Sequence, residues 1–281
     1  MLENTFIHIP RIGRVTEQKL WEKNIHTWRA YLKAPAPPLK GALHRAAREE
    51  LLLSEEKLAG GDLEHFCRRL PAGERWRLFG PFHREAAYLD IETTGLGYPG
   101  DHITTIALYH RGKVRWYVHG RNLSDFARDI RECRLLITYN GQGFDLPFIQ
   151  RDLGLTLTAP HIDLRYVLGS LGYRGGLKGC ERQLGICRGD LEGVDGFMAV
   201  LLWRDYARRG NDRALETLLA YNIEDTVNLE LLMYRAYNEK IGGTPFKEEF
   251  LGFQAEPVSL PFQADQDIIE SLRRRLSPYT A

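Results

Sequence analysis

The feature that most constrains the fold is a change in hydrophobic periodicity near Phe82. Before this residue, apolar side chains recur at the spacing of amphipathic helices, and after it the spacing is that of strands. Strands are predicted at 87–92, 103–109 and 114–118, and a short turn joins the last two. These segments predict a β-meander that begins the second part of the chain.

Beyond the meander, predicted strands and helices alternate. The strands are predicted at 135–139 and 161–163, and the helices at 124–133, 146–152, 164–171, 177–184, 198–208 and 212–238. A meander followed by this alternation is typical of the α/β class, in which helices cover a central mixed sheet in three layers. A run at 75–81 is predicted to be an edge strand or a domain boundary.

The length of the chain indicates one main domain with an appendage, because 281 residues exceed one average domain and are too few for three. We expect a helical N-terminal region at 1–82, an α/β domain at 83–243 and a C-terminal extension at 244–281 that ends in a helix at 263–276.

Lys and Arg outnumber Asp and Glu by 14 to 10 in the N-terminal region, whereas Asp and Glu lead by 27 to 24 in the rest. The cationic excess suits contact with an anionic polymer, although solvated surface charge would also explain it.

The N-terminal region carries a glycine-containing turn at residues 9–15, between two predicted helical pieces. Gly13 would let backbone N–H groups approach a phosphate, and the turn resembles the hairpin of helix-hairpin-helix modules, which hold nucleic-acid backbones in this way. Arg11 stands where such turns commonly have glycine. The other interpretation is a turn that packs on the neighbouring domain through Trp21 and Trp28.

The sequence shows no pattern typical of a membrane span or an export signal. No segment has the roughly 20 consecutive apolar residues of a membrane helix, and the start of the chain lacks a basic stretch followed by an apolar one. We therefore expect a cytoplasmic protein with no membrane partner.

Two acidic residues lie on the first predicted strand. Asp90 and Glu92 are separated by one residue, so both carboxylates project from the same face while Leu89 and Ile91 face the other way. Carboxylates of like charge at close range are costly, and a divalent cation is the natural partner of an oxygen-rich site. The alternative is a solvated strand edge, which the glycine-containing turn at 93–97 disfavours.

Two further acidic residues follow the meander. Asp145 comes after the predicted strand 135–139 and a glycine-rich turn that can return it to the strand end, or it is only a helix N-cap. Tyr221 and Asp225 are four residues apart in the long helix and share one face. The alternative for this pair is a core tyrosine whose hydroxyl finds a nearby acid.

Together these segments resemble the DEDD superfamily of ribonuclease H-like 3′→5′ exonucleases. The three motifs of that superfamily are similar to Leu-Asp90-Ile-Glu92-Thr-Thr-Gly-Leu, Tyr-Asn140-Gly-Gln-Gly-Phe144-Asp145 and Tyr221-Asn-Ile-Glu-Asp225. A tyrosine four residues before the final Asp marks the DEDDy branch. The histidine branch has His five residues before it, where this chain has Ala220.

Within the DEDDy branch the chain resembles the YprB-like group of predicted exonucleases. The segments that carry this likeness are His161-Ile-Asp163-Leu, the helix at 176–186 and the N-terminal stretch 9–21. The catalytic likeness covers about residues 85–240. It implies a ribonuclease H-like three-layer fold with a central mixed sheet, preceded by a small helical N-terminal region.

The resemblance also implies a two-metal mechanism, with two Mg²⁺ or Mn²⁺ ions about 4 Å apart. By this likeness Asp90 bridges both ions, Glu92 and Asp225 complete the nucleophile-side ion, and Asp145 holds the leaving-group ion through a water. Tyr221 would orient the attacking water.

The implied partner is DNA or RNA with a free 3′ end, and protein partners stay open. Asn140 and Lys178 are candidates for phosphate or sugar contact, and Thr93, Leu96 and Phe144 for positioning the terminal nucleotide. An exposed surface lysine is the alternative for Lys178. None of these residues would read a base, so we expect little sequence preference and a salt-sensitive affinity.

Two other functions remain open from the sequence. One is a ribonuclease H-like endonuclease that uses the same carboxylates. The other is a non-catalytic nucleic-acid-binding module that retains the fold, which so many gathered carboxylates disfavour.

Overall fold

The computed structural model describes residues 1–36, 38–97, 99–253 and 258–276. Its strands are β1 Ala86–Thr93, β2 Ile103–His110, β3 Lys113–Val118, β4 Leu135–Thr138 and β5 His161–Asp163. They form one sheet in the order β3-β2-β1-β4-β5. The pairs β1–β2 and β2–β3 are antiparallel, and the pairs β1–β4 and β4–β5 are parallel. The predicted meander and the mixed sheet are therefore confirmed.

Helices make up most of the remaining described chain. The α-helices are α1 Arg14–Glu22, α2 Trp28–Lys33, α3 Gly41–Ala59, α4 Leu63–Arg69, α5 Phe79–Phe82, α6 Phe126–Asp129, α7 Asp145–Leu153, α8 Leu164–Leu171, α9 Gly176–Gln183, α10 Gly196–Arg209, α11 Asp212–Gly242 and α12 Gln266–Leu276. Short 3-10 helices lie at Leu2–Asn4, Ala72–Leu78, His83–Glu85, Leu123–Asp125, Ile130–Glu132, Gly189–Leu191 and Lys247–Glu249. No helix among the described residues is long and apolar enough to cross a membrane.

Helices cover both faces of the sheet because successive side chains of β1 point to opposite sides. Leu89 and Ile91 share a buried cluster with residues of α6 and α7. Tyr88 belongs to a second cluster, which includes residues of α8 and α11 on the other face. Both faces of the central strands are therefore buried, as the predicted three-layer α/β arrangement requires.

The N-terminal region packs against the sheet domain through aromatic side chains. Trp76 makes an edge contact with Tyr237 of α11, and Trp21 makes one with Phe246, which follows α11. These residues share one buried hydrophobic cluster with the inner face of α11. Trp21 thus packs outside the N-terminal region, as one interpretation of the turn expected, whereas Trp28 stacks on Phe66 within that region. Contact of that turn with phosphate stays a prediction.

Arg11 lies in that turn with a φ of +71°, in the left-handed region that favours glycine. This explains why similar turns carry glycine at its position. The only helix before the turn, within the described residues, is the three-residue 3-10 helix Leu2–Asn4.

The predicted edge strand at 75–81 is wrong, because the 3-10 helix Ala72–Leu78 and α5 occupy this stretch. Arg75 and Arg77 alternate with Trp76 and Leu78 in the sequence as polar and apolar residues do in a strand. In the structure, the buried Arg77 donates to Glu74 from Nε at 3.0 Å. Trp76 Nε1 donates to the same carboxylate at 3.2 Å, so the helical turns of this stretch surround a buried carboxylate.

Several predicted helices have different bounds in the structure, and the long helix α11 continues to Gly242 instead of residue 238. The predicted helix at 124–133 consists of three short pieces, with α6 between two 3-10 helices. The C-terminal helix begins at Gln266 instead of residue 263, because Asp265 Oδ1 accepts a hydrogen bond from Ile268 N at 3.2 Å and caps the helix there.

Candidate active site

The strand β1 and the helix α11 bring three carboxylates together. Asp90 and Glu92 lie on the face of β1 that α11 covers, and Asp225 lies on α11. One oxygen from each of these side chains lies within 4.8 Å of the others. This spacing is compatible with oxygen ligands around a shared cation.

Two other side chains of α11 contribute to this cluster. Tyr221 lies one turn before Asp225 and is only 3% exposed. Asn222 Nδ2 donates to Asp90 Oδ2 at 2.7 Å, and its Oδ1 accepts from Thr105 Oγ1 at 3.0 Å. Asn222 therefore fixes one oxygen of Asp90, a role that its place between Tyr221 and Asp225 in the motif did not reveal.

The turn between β4 and α7 presents Asp145 as the first residue of α7. Asp163, at the end of the neighbouring β5, holds this turn: its carboxylate accepts from Asn140 N at 2.7 Å and from Gln142 N at 3.1 Å. The same side chain accepts from Arg165 N at 3.0 Å at the start of α8. Asp163 is thus a positioning residue, and its only sequence signal was the quoted segment at 161–163.

Close packing makes glycine necessary at Gly141. A Cβ on this residue would lie 2.1 Å from Thr138 Oγ1, far inside van der Waals contact. Thr138 Oγ1 accepts from Gly141 N at 3.0 Å and also bonds His161 Nε2 at 2.8 Å. The turn therefore lies tightly on β4 and β5, and Asn140 takes a left-handed φ of +66° to enter it.

Burial and mutual repulsion shift the proton affinities of the carboxyls. Burial, followed by the charge of Asp145, raises the pKa of Asp90 well above its usual range. Burial, followed by the charge of Asp225, does the same to the pKa of Glu92. Burial also raises the pKa of Asp145 to about 7. These carboxyls are unfavourable as anions unless cations compensate them.

The donor set fits a divalent cation. Asp145 lines the same cavity as the three clustered carboxylates, and its buried Oδ1 has no hydrogen-bond partner among the described residues. Carboxylate oxygens are the ligands that Mg²⁺ and Mn²⁺ prefer. Of the four acids predicted from the sequence, Asp90, Glu92 and Asp225 are therefore brought together, and Asp145 shares their cavity without belonging to the group within 4.8 Å.

The carboxylates lie in a cavity of about 1140 Å³. Of the predicted nucleic-acid contacts, Thr93, Leu96, Asn140 and Phe144 also line it, and Leu96 is 83% exposed. Lys178 is not among the lining residues: its Nζ lies 4.5 Å from the centroid of the Tyr221 ring, and it donates to Val194 O. Lys178 is half-buried beside the catalytic tyrosine candidate, so it is not the exposed surface lysine of the alternative interpretation.

Several lining residues were not predicted from the sequence. Tyr166 and Phe197 are exposed aromatic side chains of the cavity wall, 44% and 57% exposed. The arginines of this wall are Arg165, Arg174 and Arg204. Exposed rings and guanidinium groups are the usual means of holding bases and phosphates of a single strand. They come from α8, from α10 and from the loop before α9, so no single motif in the sequence joins them.

Fold and site together define an α/β protein with an acidic, cation-compatible centre at one end of a large cleft. A sequence model of the RNase H superfamily matches residues 87–237, which is more than half of the chain. The chain belongs to the RNase H superfamily. This membership supports nuclease activity, and therefore hydrolysis of nucleic acid, and nucleases of this superfamily generally use divalent metal ions.

The other comparisons concern curated proteins and solved structures. No curated protein matches the chain. Among solved structures, the family B DNA polymerase from the hyperthermophilic archaeon Pyrobaculum calidifontis is similar, with 18% sequence identity and a TM-score of 0.44. The alignment covers 58% of this chain and 26% of the polymerase chain, so the chain spans about a quarter of the polymerase's length.

Replacing Asp163 by Ala is expected to destabilise the protein by about 3 kcal/mol, because three partly buried N–H groups lose a charged acceptor. Nuclease activity should fall by at least about tenfold, since Asp145 loses the turn that positions it. Urea unfolding and a nuclease assay measure the two effects. The control is Glu55→Ala, which removes an exposed carboxylate of α3 and should change neither. Equal stability of the Asp163→Ala and Glu55→Ala proteins would contradict the positioning role.

Proposed function

We propose that the protein is a 3′→5′ exonuclease of the DEDDy type, similar to the YprB-like group, which uses two divalent cations, Mg²⁺ or Mn²⁺. The observation that supports this most is the approach of Asp90, Glu92 and Asp225 to within 4.8 Å of one another, with Tyr221 one turn away on the same helix. The proposed substrate is DNA or RNA with a free 3′ end.

In this proposal Asp90, Glu92, Asp145 and Asp225 hold the cations. Once bound, the cations would supply Lewis-acid stabilisation of the phosphoryl group and a more acidic water. Asp145 has a buried oxygen free to accept a ligand, and Asn222 keeps Asp90 in a fixed orientation. The chain thus contributes preorganised oxygen ligands, which lower the cost of assembling the site.

In this proposal Tyr221 keeps its phenolic proton and orients a water. Burial, followed by the charges of Asp225 and Glu92, raises the pKa of Tyr221 well above its usual range. The phenol therefore stays protonated at neutral pH and can donate a hydrogen bond to position a water, but it is a poor general base.

The terminal nucleotide would lie against Thr93, Leu96 and Phe144, with Asn140 near its phosphate or sugar. The exposed rings of Tyr166 and Phe197 offer stacking surfaces that do not distinguish bases. Little sequence preference and a strong salt dependence of binding are therefore expected.

The test uses linear oligonucleotides, labelled at either end, with Mn²⁺. The parent protein should release mononucleotides in order from a free 3′ end and leave a strand with a blocked 3′ end intact. Asp90→Ala and Asp225→Ala should release none above background. Equal release from all three proteins would remove the assignment, and degradation of a circular strand would indicate an endonuclease instead. Oligonucleotide binding without calorimetric binding of divalent ions would indicate a non-catalytic module.

A further inference from the structure

A buried arginine contacts the carboxylate cluster. Arg188 lies between α9 and α10, is 6% exposed, and donates from its NH2 group to Asp225 Oδ1. Its Cζ lies 5.8 Å from the centroid of the Tyr221 ring. The family match and the three acidic motifs assign no role to this residue, yet it brings a permanent positive charge to a candidate cation ligand.

A second acid keeps Arg188 in place. Glu181, on α9 and 1% exposed, accepts from Arg188 Nε at 2.6 Å and from its NH2 group at 3.0 Å. Asn228 Nδ2, on α11, donates to Glu181 Oε1 at 3.0 Å. This two-point grip on a planar guanidinium leaves Arg188 little rotational freedom, so it remains beside Asp225 instead of moving in and out of the site.

The backbone that carries Arg188 is itself anchored. We call residues 185–195, which connect α9 to α10, the arginine loop. Asp190 O accepts from Gln266 Nε2 at 2.6 Å, and Glu192 O accepts from Arg273 NH2 at 2.7 Å, so α12 holds the loop from outside. Lys178 donates to Val194 O from the inner side. The loop is therefore built to present Arg188 in one position.

Two consequences follow for Asp225. Arg188 donates to Oδ1, so Oδ2 is the Asp225 oxygen that the guanidinium leaves free of its hydrogen bond. The guanidinium also adds a unit positive charge next to a site that must attract doubly charged ions. The repulsion between this charge and an ion held by Asp225 is substantial, because water screens it only weakly inside a protein.

We propose that Arg188 is a positioning residue and the built-in counter-cation of this site: it presents a single Asp225 oxygen to the cluster and weakens divalent-ion binding in the absence of nucleic acid. The mechanistic part of this inference rests on the proposed nuclease function, whereas the effect on ion affinity does not. Both follow from the same contact between Arg188 and Asp225.

The test measures Mn²⁺ binding to the full chain by calorimetry, without nucleic acid. Arg188→Met removes the charge and should bind Mn²⁺ on the order of tenfold more tightly than the parent. Glu181→Gln removes the acid that balances Arg188, so it should bind Mn²⁺ several-fold more weakly. Arg188→Lys keeps the charge and should stay within about twofold of the parent. The matched control is Arg182→Met, which removes an exposed arginine of α9 and should leave the affinity unchanged.

Turnover gives the second readout. Arg188→Lys and Arg188→Met should each lower kcat about tenfold or more with little change in KM, because Asp225 can rotate once the two-point grip is lost. A residue that served only folding would weaken ion binding and activity together. In Arg188→Met the Mn²⁺ affinity should rise while kcat falls, and these opposite changes are specific to a counter-cation.

The outcomes separate this inference from the proposed function. A folded Arg188→Met protein that binds Mn²⁺ no more tightly than the parent overturns the inference. Should Arg188→Met fail to fold, a Glu181→Gln protein with unchanged or tighter Mn²⁺ binding overturns it equally. If the parent cleaves no nucleic acid but the affinities shift as described, the exonuclease proposal fails and the counter-cation inference stands.

Discussion

An Asp90→Asn protein should release nucleotides at least about a thousandfold more slowly than the parent, because a metal ligand that supplies several kcal/mol of transition-state stabilisation is removed. The same substitution should raise the melting temperature measured without divalent ions by several degrees. Asp90 is the carboxyl whose charge most directly opposes those of Asp145 and Glu92, and a neutral amide ends that repulsion. Its oxygen can still accept the hydrogen bond from Asn222.

The matched control for this prediction is Asp212→Asn. Asp212 is an exposed carboxylate at the start of α11, pairs with Arg121 at 3.0 Å and does not line the cavity of the carboxylates. Its substitution should change the rate by less than about twofold and leave the melting temperature nearly constant, since exposed pairs contribute little. Thermal unfolding in the presence of a chelator and a 3′-end release assay decide the matter. Loss of stability in Asp90→Asn would count against like-charge crowding at the site.

An Asp145→Asn protein should become increasingly more stable than the parent as the pH rises from 4 to 8 in the absence of divalent ions. Asp145 has a pKa of about 7 in the folded protein and an ordinary value of 3.8. Between these values the folded state keeps a proton that the unfolded chain has lost, so the parent loses stability as the pH rises through this window. The amide does not ionise, and the advantage should reach about 4 kcal/mol at pH 8.

Buried histidines act in the opposite direction and must be separated from this effect. Burial lowers the pKa of His8 to about 3 and that of His161 to about 4, so both proteins lose stability as the pH falls below the ordinary histidine value of 6.5. This contribution is common to parent and variant and cancels in their difference. Urea unfolding at several pH values with a chelator gives that difference. A constant difference from pH 4 to 8 would show that Asp145 is ionised in the folded protein.

The sequence allowed the sheet and the acidic motifs to be predicted for a clear physical reason. Two-residue alternation on β1 placed Asp90 and Glu92 on one face, and the four-residue spacing on α11 placed Tyr221 and Asp225 on one side of the helix. Both arguments depend on local periodicity within one regular element. The structure then adds what periodicity does not contain, namely that the acidic faces of β1 and α11 meet.

The residues that were missed depend on contacts between distant segments. Asp163 bonds a turn more than 20 residues away, and Arg188 reaches Asp225 from a loop without periodic pattern. The error at 75–81 has a related cause, since the alternation of polar and apolar residues is typical of a strand, whereas Arg77 lies buried between Glu17 and Glu74. A charged side chain is expected to be exposed unless its ion-pair partner is known, and only the tertiary structure shows that partner.

The attachment of the arginine loop to α12 has a consequence for the order in which the protein is made. The ribosome synthesises the four acidic residues and Arg188 well before Gln266 and Arg273, the two side chains that clasp the loop from outside. A nascent chain that ends before these residues therefore lacks both hydrogen bonds to the loop, even with every candidate metal ligand already translated. We expect Arg188 to reach its fixed position beside Asp225 only once the last described helix has formed.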